Sequence, residues 1–218
     1  VSYSDFLRLE EQYVLSRENL YKAVTISGNP DAFLLRRAWT AYELQDHLGA
    51  LTHLRRMLQL NTNRSELWFY SHLYTKTKYQ DILERDILQN VSKLNENSKG
   101  LDFYSAALHQ IGQDKLASEL MQQGITRDCT PLSKSNDKIN CKHWFSAMTS
   151  QNLNSAISGM QTLIRKYPYR SDYIDTYAVL LYITGNKEEA FQQSLIAAKL
   201  SAADPYMLWQ LEYHRKNK

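Results

Sequence analysis

The chain has 218 residues, with 26 Lys and Arg against 23 Asp and Glu and a formal net charge of +3, well short of the dense basic footprint of a dedicated nucleic-acid binder. Seven Gly and four Pro are few for the length and favour helices over a turn-rich β architecture. No apolar stretch approaches the roughly 18 to 20 residues that cross a bilayer, and the N-terminus lacks the basic, apolar and small-residue order of a signal peptide. A start at Val1 rather than Met reads as a processed or trimmed product, with room for a lost signal, anchor or neighbouring domain.

In chain order, a first helix is predicted from about Ser2 to Ser27, ended by Gly28-Asn29-Pro30, where Gly tolerates the left-handed cap and Pro forbids continuation. Five helical hairpins follow, pairing 31–44 with 46–60, 65–76 with 78–93, 99–111 with 113–125, 138–150 with 152–166, and 171–184 with 186–200. The last is the clearest: Y-A-V-L-L-Y-I-T-G-N-K-E-E-A-F-Q-Q-S-L-I-A-A-K-L places two apolar helical runs either side of Gly185-Asn186. Its small residues, Ala178, Ala190 and Ala197, suit close helix packing, and Gly185 can take the left-handed conformation that ends a helix. A final helix starts at Asp204-Pro205, an N-cap followed by the Pro tolerated at the first helical position, and would cap the array with Met207, Leu208 and Leu211. The H-R-K-N-K tail from His214 is predicted to stay solvated.

The hairpin recurs. Ala50, Ile82, Ala117, Ala156 and Ala190 are spaced by 32, 35, 39 and 34 residues, and four of the five copies keep both the Ala and an upstream helix break. A period near 34 with small residues at hairpin contacts resembles the tetratricopeptide repeat (TPR) family over about residues 31–205. The repeats are degenerate: the last has Ala202 where the terminal Pro is expected, the one before it has Trp144 at a usually small position, and the Ile82 copy lacks the key Ala. The resemblance implies an all-α solenoid of stacked antiparallel hairpins in a right-handed superhelix, a single domain made of an N-terminal helix (1–30), five hairpins (31–203) and a capping helix with tail (204–218).

The longest step contains T-R-D-C-T-P-L-S-K-S-N-D-K-I-N-C-K-H, from Thr126 to His143, whose polar, Pro-bearing composition predicts a loop. It carries both cysteines. A Cys129–Cys141 disulfide would staple the loop and imply an oxidising, extracytoplasmic compartment such as the periplasm; two reduced thiols would imply the cytosol. A zinc site on Cys129, Cys141 and His143 lacks a fourth ligand and the usual close Cys pair. With no phosphate loop, nucleophile elbow or paired metal-binding His, the chain reads as non-enzymatic and free of metal and cofactor.

The resemblance also implies a concave groove lined by the second, fifth, ninth, twelfth and thirteenth places of each first helix. Taking the key Ala as the twentieth place, the twelfth places are Tyr42, Tyr74, His109, Met148 and Tyr182, and the ninth include Trp39 and Phe145, with polar Lys99, Asp102 and Gln110 in the middle. Such a surface would bind a peptide or amphipathic helix of a partner protein; a register slip of one residue would instead make the ladder ordinary packing. Leu35 and Trp39 occupy places where co-chaperone members carry Lys and Asn, so their carboxylate clamp is absent. The pairs Arg36-Arg37 and Arg55-Arg56 form a secondary basic patch that could meet an acidic partner. The leading function is therefore a protein-binding scaffold in assembly or secretion of a larger complex, and, with a bridged Cys pair, of the bacterial pilus or envelope-biogenesis kind. RNA binding by helical repeats, suggested by S-E-L-W-F-Y-S-H-L-Y from Ser65 but opposed by charge, and a sensory or effector domain of a larger regulator are the alternatives.

Overall fold

The computed structural model describes residues 3–60, 77–98 and 100–217. Among them are twelve α-helices and no strand: α1 (Tyr3–Leu9), α2 (Tyr13–Ser27), α3 (Leu34–Glu43), α4 (His47–Leu60), α5 (Gln80–Val91), α6 (Leu101–Gln110), α7 (Asp114–Gly124), α8 (Ser135–Met148), α9 (Leu153–Lys166), α10 (Ser171–Ile183), α11 (Lys187–Leu200) and α12 (Pro205–Lys216). The chain divides into two compact units, Val1–Gly100 and Leu101–Lys218. Sequential pairing into helical hairpins is the architecture expected from the repeats. The helix expected over 65–76, with Tyr74, and also Lys99, lie outside the described residues.

In the first unit the helix predicted from Ser2 to Ser27 is two helices. α1 stops at Leu9, Glu11 takes a left-handed φ of 60°, and Gln12 N–H closes the turn onto Leu7 C=O at 2.8 Å. The physical reason is a polar core that a continuous helix could not assemble. Asp5 and Arg8 on α1 are fully buried and bonded at 2.8 Å, Arg36 from α3 donates to Asp5 at 2.9 Å, and the Arg8 guanidinium lies 3.4 Å over the Trp39 ring. Ser16 of α2 donates to Ser4 C=O at 2.8 Å from within the same core. α2 ends as expected at Gly28, whose φ of 64° is the left-handed cap. α3 and α4 then pair around Ala38 and Ala50, both with no exposed surface.

The second unit contains three complete hairpins, α6–α7, α8–α9 and α10–α11, closed by α12. Ala117, Ala156, Ala178, Ala190 and Ala197 are buried, in keeping with the steric reading of the repeat. Gly112 and Gly185 turn their hairpins with φ of 78° and 90°, values that cost other residues strain. Gly124 is required for a different reason: a Cβ there would stand 2.3 Å from the Phe145 ring.

Two expectations about this unit are corrected. The segment from Thr126 to His143 is mostly helical, a π-helical turn at Ile125–Cys129 running into α8 after only five intervening residues. Its polar residues are matched by the next hairpin: Asn136 donates to the Tyr167 hydroxyl at 2.5 Å, and Asp137 accepts from Arg170 at 3.0 Å and from the Tyr173 hydroxyl. Cys129 and Cys141 are joined by a disulfide that ties the π-helical turn to α8. The tail also differs, because His214 is buried in α12, within hydrogen-bond distance of Ser194 Oγ (2.7 Å) and Gln210 Nε2 (2.9 Å).

Candidate partner-binding face

Several proposed groove residues are core. Trp39, Phe145 and Met148 are at most 3% exposed. Trp39 lies beneath Arg8, and the Phe145 ring occupies the space left by Gly124. These three are corrected from groove to packing residues, since each points between helices rather than away from them. The other described members keep part of a ring open but have local company. Tyr42 sits 5.5 Å from the His47 ring, His109 Nδ1 is 2.6 Å from Asp114, and Tyr182 is stacked 4.4 Å from His214.

The basic patch is likewise largely neutralised. Arg36 is bonded to Asp5, Arg55 to Asp86 at 2.8 Å, and Arg56 to Asp31 at 2.7 Å. The Arg56 guanidinium holds the Asp31 carboxyl below the usual range. Arg37 is the exception, with one amino group on the Pro30 carbonyl at 2.8 Å and no carboxylate partner among the described residues.

What the second unit does bring together is an aromatic triangle contributed by three of its helices. Phe103 (α6), Trp144 (α8) and Tyr206 (α12) meet edge to face with centroids 6.1, 6.1 and 6.2 Å apart, inside the favourable range for such pairs. All three residues are half-buried. From Tyr206 the seam continues along α12 through Trp209 and Tyr213 to Tyr182 of α10.

Carboxyl groups lie along this seam. Trp144 Nε1 donates to Asp102 at 2.7 Å, yet burial outweighs that bond and pushes the Asp102 pKa up. Asp175 is buried more deeply, 4% exposed, and burial, aided by the Asp204 and Asp172 charges, raises it to about 8, so it is protonated at neutral pH. Its Oδ1 and the Tyr206 hydroxyl are buried with no hydrogen-bond partner among the described residues. Burial first, and then the Asp175 and Asp102 charges, also drive the Tyr206 hydroxyl well above its ordinary range. An unmet buried polar group is destabilising by about 1 to 3 kcal/mol, and two of them mark this seam as unlike ordinary core.

Two signals in the sequence pointed here. Counting from the key Ala puts Asp175 at the same fifth place as Asp102, and Trp144 is a large ring where the repeats usually carry a small residue. Neither signal reveals the contact with Tyr206, which depends on α12 returning to the first helices.

A Ser194–His214 pair has the spacing of a catalytic dyad but not its setting. Both residues are 1% exposed, and burial lowers the His214 pKa to about 4. The pair clasps α12 to α11. Among the described residues no cluster of three or more His, Cys, Asp or Glu is arranged to hold a metal, and no helix is long and apolar enough to cross a membrane.

No family model matches the chain, and no curated protein matches it. Among solved structures it is similar to the TPR domain of P58(IPK), with 12% identity and a TM-score of 0.32, over 98% of this chain and 76% of that one. That likeness is loose, and the hairpin architecture rests on the helices themselves.

Proposed function

We propose that the chain is a non-enzymatic scaffold that binds an apolar peptide or amphipathic helix of a partner protein, with Phe103, Trp144 and Tyr206 as the central contact. The aromatic triangle carries this reading. Three rings from three helices are kept half-open beside two buried polar groups that lack partners among the described residues, and aromatic anchors in desolvated surroundings dominate protein interfaces. A partner side chain seated there would pack against the exposed parts of the three rings. Tyr42, His109 and Tyr182, each half-buried, extend the proposed contact surface within their own units. The polar groups beside the triangle are the carboxyls Asp102 and Asp175, which offer an RNA phosphate backbone no cation to pair with.

The Cys129–Cys141 bridge supports an oxidising compartment, and with it the periplasmic, pilus- or envelope-assembly role expected from the sequence. That finer role rests on the bridge alone.

The test is a crosslinking pull-down from the native host with the intact protein, Phe103→Ala and Trp144→Ala, alongside melting temperatures. Each variant should lose about 2 kcal/mol or more of binding while remaining folded. Wild-type capture by both variants would sink this reading.

A further inference from the structure

We infer that the first unit carries a binding cleft for a phosphate monoester or free phosphate between α2, α3 and α4, with Arg17 and Arg37 as its ligands. Two neighbouring clefts, of about 360 and 490 Å³, share Arg37 and His53 in their walls. Arg17, exposed on α2, lines the first of them and has no ion-pair partner among the described residues. Arg37 gives Nη1 to the Pro30 carbonyl, and its buried Nε has no acceptor among those residues.

The distribution of charge singles these two out. Arg36, Arg55 and Arg56 each hold a carboxylate. The two carboxylates in the cleft walls are themselves engaged: Asp31 by Arg56, and Asp46 by the Gly49 N–H at 2.9 Å as it caps α4. Asp46 keeps its charge, so Arg17 and Arg37 outnumber the carboxylate that shares the first cleft with them. The Arg17 fork and the remaining amino group of Arg37 suit a tetrahedral oxyanion, whose several oxygens can accept from both at once. His53, beside Arg37, is held neutral because burial and then the Arg37 charge lower its pKa to about 4, against the raising effect of the Asp46 charge. A neutral imidazole retains one N–H for the ligand, and an anion in the cleft would reverse the sign of the field it feels.

The experiment follows the His53 imidazole by NMR while the full chain is titrated with inorganic phosphate, with a phosphoserine peptide, and with the same peptide unphosphorylated. Saturable shifts of the His53 resonances with the phosphorylated probes, and an upward move of its pKa from about 4, are expected. Arg17→Gln and Arg37→Gln should each weaken binding about tenfold or more, the loss of one charge-assisted contact. The surface change Lys199→Gln, in the second unit, should have no effect. If Arg37→Gln does not fold, Arg37→Lys, which keeps the charge but not the fork, serves in its place and should still bind less tightly. Stronger binding of the phosphopeptide than of phosphate would identify a modified protein as the source, and equal binding a free phosphate. An unmoved His53 at millimolar phosphate, or unaltered affinity in the Arg17 and Arg37 variants, would overturn the proposal.

Discussion

The two units solve the same packing problem with different chemistry. In the second, hairpins approach through buried Ala117, Ala156, Ala190 and Ala197, and a disulfide and aromatic rings join them. In the first, the most buried contacts include Asp5 and Arg8, charged groups taken wholly out of water, with the partly exposed Arg36 bonded to Asp5. A common rule runs beneath the difference: polar bonds recur between residues about one repeat apart. Arg36–Asp5, Arg55–Asp86 and Asn136–Tyr167 are all separated by 31 positions, and Arg170–Asp137 by 33. Successive hairpins are thus joined by polar pairs as well as by small residues, and the first unit makes those pairs ionic.

The sharpest way to break this comparison is Asp5→Ala. A buried ion pair contributes little net stability when intact, but removing one partner strands the other charge away from water, at about 3 to 5 kcal/mol. Arg8, 0% exposed and stacked over Trp39, and Arg36 would both lose the carboxylate they share. Hydrogen exchange should show the loss in α1–α3 and leave α10 and α11 protected. Uniform loss of protection would show that the two units do not differ in what holds them.

Reducing the Cys129–Cys141 bridge should have the next largest effect, in the other unit. The bridge spans 12 positions, and closing a loop of that size stabilises by about 3 kcal/mol in the chain-entropy account. Denaturant unfolding with and without reductant measures it. The loss should fall on α7 and α8, and an unchanged midpoint would mean that the Asn136 and Asp137 bonds already fix the segment.

These contrasts explain what the sequence could disclose. Small residues mark a close backbone approach locally, so the Ala–Gly signal located α6–α7, α8–α9 and α10–α11 to within a few residues. Ion pairs and rings that meet across 30 or more positions leave no local mark. The break after Leu9 serves Asp5 and Arg8, and the polar stretch before Cys141 is helical because Tyr167, Arg170 and Tyr173 satisfy it. The contact face was half legible for the same reason. Counting placed Asp102 and flagged Trp144, but it could not show that Phe145 turns toward Gly124 or that Tyr206 completes the triangle.

The smallest expected effect per unit of pH separates two opposed buried groups within the second unit. The His214 pKa is lowered from 6.5 to about 4, so between those values the unfolded chain binds more protons and stability falls as the solution is acidified. The Asp175 pKa is raised from 3.8 to about 8, so in that window the unfolded chain binds fewer protons and stability falls as pH rises. Each contributes a limiting slope of about 1.4 kcal/mol per pH unit, and from pH 6.5 down to about 4 they largely cancel. Asp175→Asn should remove that cancellation, making α10–α12 lose protection on acidification below about 6.5 and abolishing the decline toward pH 8. His214→Gln should do the reverse, with stability declining steadily from pH 4 to 8. Hydrogen exchange of α10–α12 across that range reads both slopes. A difference in sign between the two slopes isolates the titrating groups themselves. Parallel slopes would show that neither group is as buried in solution as its surroundings here require.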